Sequence, residues 1–353
     1  IWIELQDCAG NSEALLRSSA PTVDDLLFDV LSLEYHETLQ AAAGHDADKQ
    51  LEDQLWFHSE MEVELDRMQL LYELTPRQQH AIKYILGLFL RYELIVGCDF
   101  WREVVPKVFP RPEVERMASV FSMVELAVHA PFYNKINKVL GLDKEKDYLA
   151  YKDDKELKHR VDWLHKILKG KDKILACAIF SMTETALLFS MFALLKSFQS
   201  NGLNKAPVVV RGTNQSALDE DLHGQGAAEL VNIYYSEIGE KLIDDIPRYE
   251  KIKEAVLHAE AHECRVVDNA IPEGHLNGHS AEEYKNFVRL RLNIFLERLQ
   301  LPPMFVIDEC SVADWFEKNT YSYKSIDFFT TGVGNEYELG WDETRFGKCW
   351  GNK

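Results

Sequence analysis

Four carboxylates interrupt apolar helical stripes in this chain, and nothing else in it constrains the fold as tightly. Glu93 falls in the stripe of Ile82, Ile85, Leu86, Phe89 and Val96, and Glu184 stands inside the apolar run 174–195. The other two acids come with imidazoles. Glu125-Leu-Ala-Val-His129 leads on to Tyr133, and Asp219-Glu220-Asp221-Leu222-His223 sets Glu220 and His223 on one helical face. A charged group buried without a partner is too costly to persist. Four such acids therefore ask for a shared counter-charge, and one Glu from each of two helices plus a Glu/His pair from each of two others is the bundle-core plan for two metal ions.

The donor types narrow the metal. Carboxylate oxygen with imidazole nitrogen suits iron or manganese, whereas structural zinc favours thiolates and calcium favours oxygen-only cages. Glu-x-x-His alone is weak evidence, since many surface helices carry it; the quartet on four apolar stripes is what specifies the site. His258 and His262, with Glu260 and Glu263 nearby, imitate a second site, but their helix is polar and reads as a solvated face. His275 and His279 lie in a Gly/Asn loop without a carboxylate pair at ligand spacing.

A formal charge of −19 argues against a nucleic-acid surface, leaving proteins and small molecules as partners. The six cysteines, Cys8, Cys98, Cys177, Cys264, Cys310 and Cys349, are scattered without a metal or disulfide spacing, which points to a reducing cytoplasm. The run 174–195 has the length of a membrane span, yet Ser181, Thr183, Glu184 and Thr185 at its centre predict a helix buried in protein.

In chain order, residues 1–50 form an unassigned extension with a helical pattern near 23–38. Thr75-Pro76-Arg77-Gln78 announces a helix running to about Val105. The next helix, 114–139, contains Pro131, which predicts a widened turn near Ala127. Further helices are expected at 157–168, at 173–198 stopped by Asn201-Gly202, at 215–238, near 249–270, and from the Ser280/Glu283 capping box to about Gln300. Residues 51–310 thus form an all-α bundle, and 311–353 a loop-rich, aromatic-rich tail.

These residues resemble the radical-generating small subunit of class I ribonucleotide reductase over roughly 50–330. Glu93-Leu-Ile-Val, Glu125…His129…Tyr133, Glu184 in its apolar helix, Asp219 through His223 and the helix closing at 289–303 carry the resemblance together. It implies a ferritin-like bundle and a ribonucleoside-diphosphate reductase activity served by thioredoxin or glutaredoxin. By position, Glu93, Glu125 and His129 bind one metal and Glu184, Glu220 and His223 the other. An iron pair is implied first, with manganese–iron or two manganese ions as alternatives. Tyr133 becomes the stored radical, with Phe132 a rival position, and Phe192 belongs to its apolar pocket. Trp56, Asp219 and His129 form the route toward a large subunit, and Tyr337, Trp341 and Trp350 are candidates to complete it in the tail. A homodimer is implied, with no membrane and no nucleic acid. The chain departs from the family in having Glu rather than Asp at 93 and in the extra residue between Glu125 and His129. On the same scaffold, a dimetal oxygenase or oxidase acting on a small organic substrate and a non-enzymatic iron-binding helical protein remain the alternatives.

Overall fold

The first long helix starts where its capping residues require. Thr75 accepts from the Gln78 N–H while the Gln78 side chain returns to the Thr75 N–H, and Pro76 occupies the first turn, where its missing donor costs nothing. In the computed structural model, which describes residues 56–307 and 309–321, this helix is α1, Pro76–Leu94. It does not continue regularly to Val105. From Ile95–Arg102 it widens into π-helical turns before a short helical turn at Val105–Val108.

The second rod is α2, Pro112–Val124, which passes through a π turn, Glu125–His129, into α3, Ala130–Val139. The expected widening near Ala127 is therefore present. Pro131 has no N–H for the Ala127 carbonyl, and the Ala130 N–H reaches back five residues to Glu125. Next come α4, Lys155–Lys169, capped by Asp154, and α5, Lys173–Met182, capped by Asp172. A π turn at Thr183–Leu187 joins α5 to α6, Leu188–Lys196. The stretch Lys173–Gly202 is apolar enough to cross a membrane, but 94% of its most apolar window lies inside the bundle. Asn201 and Gly202, both at positive φ, end it as expected.

The seventh helix, α7, runs Pro207–Ile238 and starts earlier than the expected 215. Pro207 in its first turn was the available signal. α8, Ile246–Ala270, a two-residue hairpin (β1 His275–Leu276, β2 His279–Ser280) and α9, Ala281–Arg298, follow. The loop-rich reading needs correction over 311–321. Ser311–Tyr321 forms α10, which packs on α7 and α9 because Val312 and Phe316 have an apolar surface to bury. The extension 1–50 and the tail candidates Tyr337, Trp341 and Trp350 lie outside the described residues.

Packing joins α1 to α3, α5 and α6 to α7, and α8 to α9, giving an all-α bundle around one apolar core. Fully burying an aromatic or leucine side chain contributes about 1.5–3 kcal/mol, and Phe89, Phe132, Phe180, Phe189 and Phe192 are all closed off from solvent. Close approach makes Gly212 indispensable. A Cβ at Gly212 would stand 2.2 Å from the Phe132 ring, so α7 can lie against Phe132 only without one. Gly212→Ala should cost about 1–3 kcal/mol by overpacking, read as a lower urea midpoint. Phe132→Leu in the same chain should recover part of it.

Candidate metal centre

The site forms where three of the four rods lose regular helical pitch. Glu125 and His129 bound one π turn, Glu184 sits in another, and Glu93 lies just before the widened segment Ile95–Arg102. Positions four apart share a helical face, so Glu125 and His129 point inward together across the widened turn. Gly97 lets two of these segments touch. A Cβ there would sit 2.8 Å from the Glu125 Cβ.

All six sequence-identified donors converge and are buried. They make two groups, Glu93–Glu125–His129–Glu220 and Glu125–Glu184–Glu220–His223, the donor atoms of each within 4.8 Å of one another. Glu125 and Glu220 belong to both. His129 Nδ1 stands 3.2 Å from Glu125, 3.1 Å from Glu220 and 3.7 Å from Glu93. His223 Nδ1 stands 2.6 Å from Glu125 and 3.1 Å from Glu220.

Crowding acids in a dry site moves their protons. Burial and the neighbouring Glu125 push the Glu93 carboxyl well above the usual range, and burial with Glu220 and Glu125 does the same to Glu184. Burial acts on Glu125 too, but hydrogen bonding to Glu93 and the charge of both imidazoles outweigh it and hold Glu125 well below that range. Burial would lower the imidazoles; Glu125 and the other acids override it, taking His223 up to about 9 and His129 well above its ordinary value.

The donor set fits two divalent cations. Apart from the proton Glu93 shares with Glu125, both Glu93 oxygens and Glu184 Oε2 are buried where no N–H or hydroxyl donor reaches them, an arrangement that protein donors alone leave unsatisfied. Four carboxylates would balance two divalent ions charge for charge, and the absence of thiolate suits iron or manganese.

Tyr133 is fully buried, its ring stacked on Phe89 at 4.4 Å and tilted against Phe132 at 5.0 Å. Phe192 stacks on Phe89 at 5.4 Å, in the apolar wall one ring behind the phenol. The Tyr133 hydroxyl lies beside Ser216 without a well-formed hydrogen bond, and burial, with Glu93 near, pushes its pKa well above the ordinary value. Trp56 Nε1–H donates to Asp219 Oδ2 at 2.8 Å, and the same oxygen lies 2.9 Å from His129 Nε2. The indole also stacks on the His129 ring at 5.8 Å. Phe132 meets Trp56 edge-on at 5.6 Å, as part of the wall between indole and phenol.

Several contributors escaped the sequence. Trp101 Nε1–H donates to Glu184 Oε1 at 3.0 Å, and only its place in an apolar stretch hinted at burial. A clamp holds the π turn that carries Glu184. Arg291 donates to the Thr185 carbonyl at 2.7 Å and Arg298 to the Thr185 hydroxyl at 2.9 Å, and both guanidinium groups bind Asp221, the neighbour of Glu220. Two ligand-bearing segments are thereby tied together.

The decoy histidines behave differently from one another. His258 is half-buried, but His262 and Glu263 are buried, contrary to the expected solvated face. α4 covers that face of α8, so Glu263 pairs with the buried Arg160 and accepts from Ser190 at 2.8 Å. His275 stays exposed, while His279 is buried against Ser200 and Trp315.

The family model described as "Ribonucleotide reductase, small chain" matches residues 30–311. Among solved structures, the fold is similar to a class I ribonucleotide reductase of Bacillus halodurans, with a TM-score of 0.63 at 19% identity over 72% of this chain and 91% of that one. It is also similar to a ribonucleotide reductase R2 subunit from Clostridium botulinum (TM-score 0.61, 18% identity, 76% and 85% covered) and to a dimanganese(II) protein of Streptococcus sanguinis (0.60, 18%, 73% and 88%). Curated relatives of another kind match a short segment. The small chain of the quinone-reactive Ni/Fe-hydrogenase of Wolinella succinogenes is 54% identical over 52 residues, and the Hydrogenase-2 small chain of Escherichia coli K12 is 51% identical over 49. The chain spans 15% and 13% of the length of those two proteins.

Burial tends to raise Asp221, but Arg298 and Arg291 outweigh it and bring the carboxyl to about 2. Its folded value is below the unfolded one, so its stabilisation is present above about pH 4 and is lost as pH falls toward 2. Asp221→Asn should therefore be less stable than the parent by about 2 kcal/mol at neutral pH, with the gap closing on acidification. Urea midpoints measured from pH 6 to pH 2 read this directly; a gap independent of pH would contradict it.

Proposed function

The chain belongs to the ribonucleotide reductase small-chain family, and on that premise we propose that it forms and holds an oxidising equivalent on Tyr133 and delivers it to a large catalytic subunit. That subunit reduces ribonucleotides to deoxyribonucleotides, with a thioredoxin- or glutaredoxin-type dithiol as the electron source. Two metal ions held by Glu93, Glu125, His129, Glu184, Glu220 and His223, an iron pair first and manganese–iron or two manganese ions otherwise, supply when bound the oxygen-derived oxidising power that side chains lack.

The residues around them store and route that equivalent. Oxidation of Tyr133 removes one electron and the Oη proton, and burial beside Glu93 keeps the phenol protonated until then. Phe89 and Phe132 pack on the ring, with Phe192 behind Phe89, so water and reductants are kept from it. Asp219 holds the exit in place. Its one oxygen takes the Trp56 indole N–H and faces His129 Nε2, fixing both rings along a single hydrogen-bonded line.

That shared Asp219 oxygen is the observation that carries the proposal. An oxygenase acting directly on a small substrate, or an iron store, has no use for an indole tied to a ligand histidine. We read the protein as a cytoplasmic homodimer divided into an extension (1–50), the dimetal bundle (51–310) and a docking segment (311–353) offering Tyr337, Trp341 and Trp350 to the partner.

Iron-loaded, aerated protein should show a tyrosyl-type paramagnetic signal, and Tyr133→Phe should abolish it with two metals per chain retained. Persistence of the signal in the variant would move the stored equivalent elsewhere. Deleting 335–353 should remove nucleotide reduction in the presence of the large subunit and spare metal uptake; full turnover by the truncated chain contradicts the docking role.

A further inference from the structure

Outside the dimetal core, a second set of imidazoles meets where α4 crosses α8. His159 on α4 and His258 on α8 bring their Nε2 atoms to 2.8 Å from each other. His159 is exposed and His258 half-buried, so the point between the two nitrogens can be reached from solvent. Trp163 packs against the His258 ring at 4.9 Å and fixes its plane. His262 stacks on His159 at 5.6 Å, but its own nitrogens are occupied, Nδ1 facing Glu263 at 3.1 Å and Nε2 facing the Glu156 carbonyl at 2.9 Å.

We propose that His159 and His258 form a two-imidazole site for a borderline divalent cation, zinc, copper(II) or nickel, which cross-links α4 to α8 at the protein surface. Two imidazole nitrogens this close, with no carboxylate between them, select ions that prefer imidazole over water; magnesium and calcium, which require oxygen, are not held. Without a cation, one ring donates its Nε2 proton to the other; a cation needs about 2.0–2.1 Å to each nitrogen, so it displaces that proton and sits to one side of the line between the nitrogens as the rings part. Burial, together with the charge of His159, His262 and Arg265, lowers the His258 pKa, which favours the neutral ring that a cation binds. Water fills the remaining positions; Asp162, one turn along from His159, is already paired with Lys158.

The site differs from the core in every property that matters. Among the described residues, only the two core groups bring three or more donors together, so this one is weaker, open and quick to exchange. It braces the outer helix that carries Arg160 onto Glu263. Because the cation binds the folded arrangement and not the separated helices, stability rises with its concentration.

Zinc titrated calorimetrically into the full-length chain tests this, with His159→Gln and His258→Gln compared with the parent and with core metal content measured separately. The parent should bind one more equivalent than either variant, and zinc should raise its unfolding midpoint by about 2 °C or more, an increase lost in both variants. The variants should keep the parent's midpoint without zinc, showing that they fold. Equal zinc binding by all three proteins overturns the site. Loss in His258→Gln alone also overturns it, since the cation would then be using a different partner. Core occupancy is read independently, so an empty core with zinc still at His159 and His258 sinks the proposed function and leaves this site standing.

Discussion

Four carboxyl groups enclosed in a dry helical core cannot all carry charge, and the architecture around them is arranged to resolve that conflict. Without metal, protons settle it. Glu93 and Glu184 are driven toward the neutral form, and His129 and His223 are drawn toward the charged form by Glu125. Two divalent cations resolve it more completely, because they also occupy the carboxylate oxygens that no N–H or hydroxyl donor reaches. Glu125 and Glu220 contribute to both donor groups, so the two metal positions share ligands and cannot be independent of one another.

Placing those ligands costs regular helix. Three π-helical segments widen the rods at or beside Glu93, Glu125/His129 and Glu184, and each frees backbone groups that must be satisfied elsewhere. Compensation comes from neighbours with no part in ligation. Gly97 gives up its side chain so that two widened segments can touch, and Arg291 and Arg298 take the Thr185 carbonyl and hydroxyl while gripping Asp221. The phenol is managed in the same way. Gly212 leaves room for Phe132, which then separates Tyr133 from Trp56.

Much of this is legible in the sequence. An acid interrupting an apolar stripe has few meanings, and that pattern, with His129 and His223 at helical spacing, picks out Glu93, Glu125, Glu184 and Glu220. The Glu125–His129 turn could be read because Pro131 leaves a carbonyl without its donor. The widened turn at Thr183–Leu187 could not, since it is held by Arg291 and Arg298 from more than a hundred residues away and nothing local marks it. His262 was misjudged for the same reason. The polar face of α8 looked solvated until α4 folded over it, and only tertiary structure supplies Arg160 as the partner for Glu263. Trp101 is illegible because a tryptophan in an apolar stretch carries no mark of the carboxylate it will meet.

Anomalous X-ray diffraction from crystals of iron- or manganese-loaded protein tests the central claim most directly. Two peaks per chain should appear inside the bundle, one contacting Glu93, Glu125, His129 and Glu220 and the other Glu125, Glu184, Glu220 and His223. A loaded, folded protein with no anomalous density among those side chains would contradict the account.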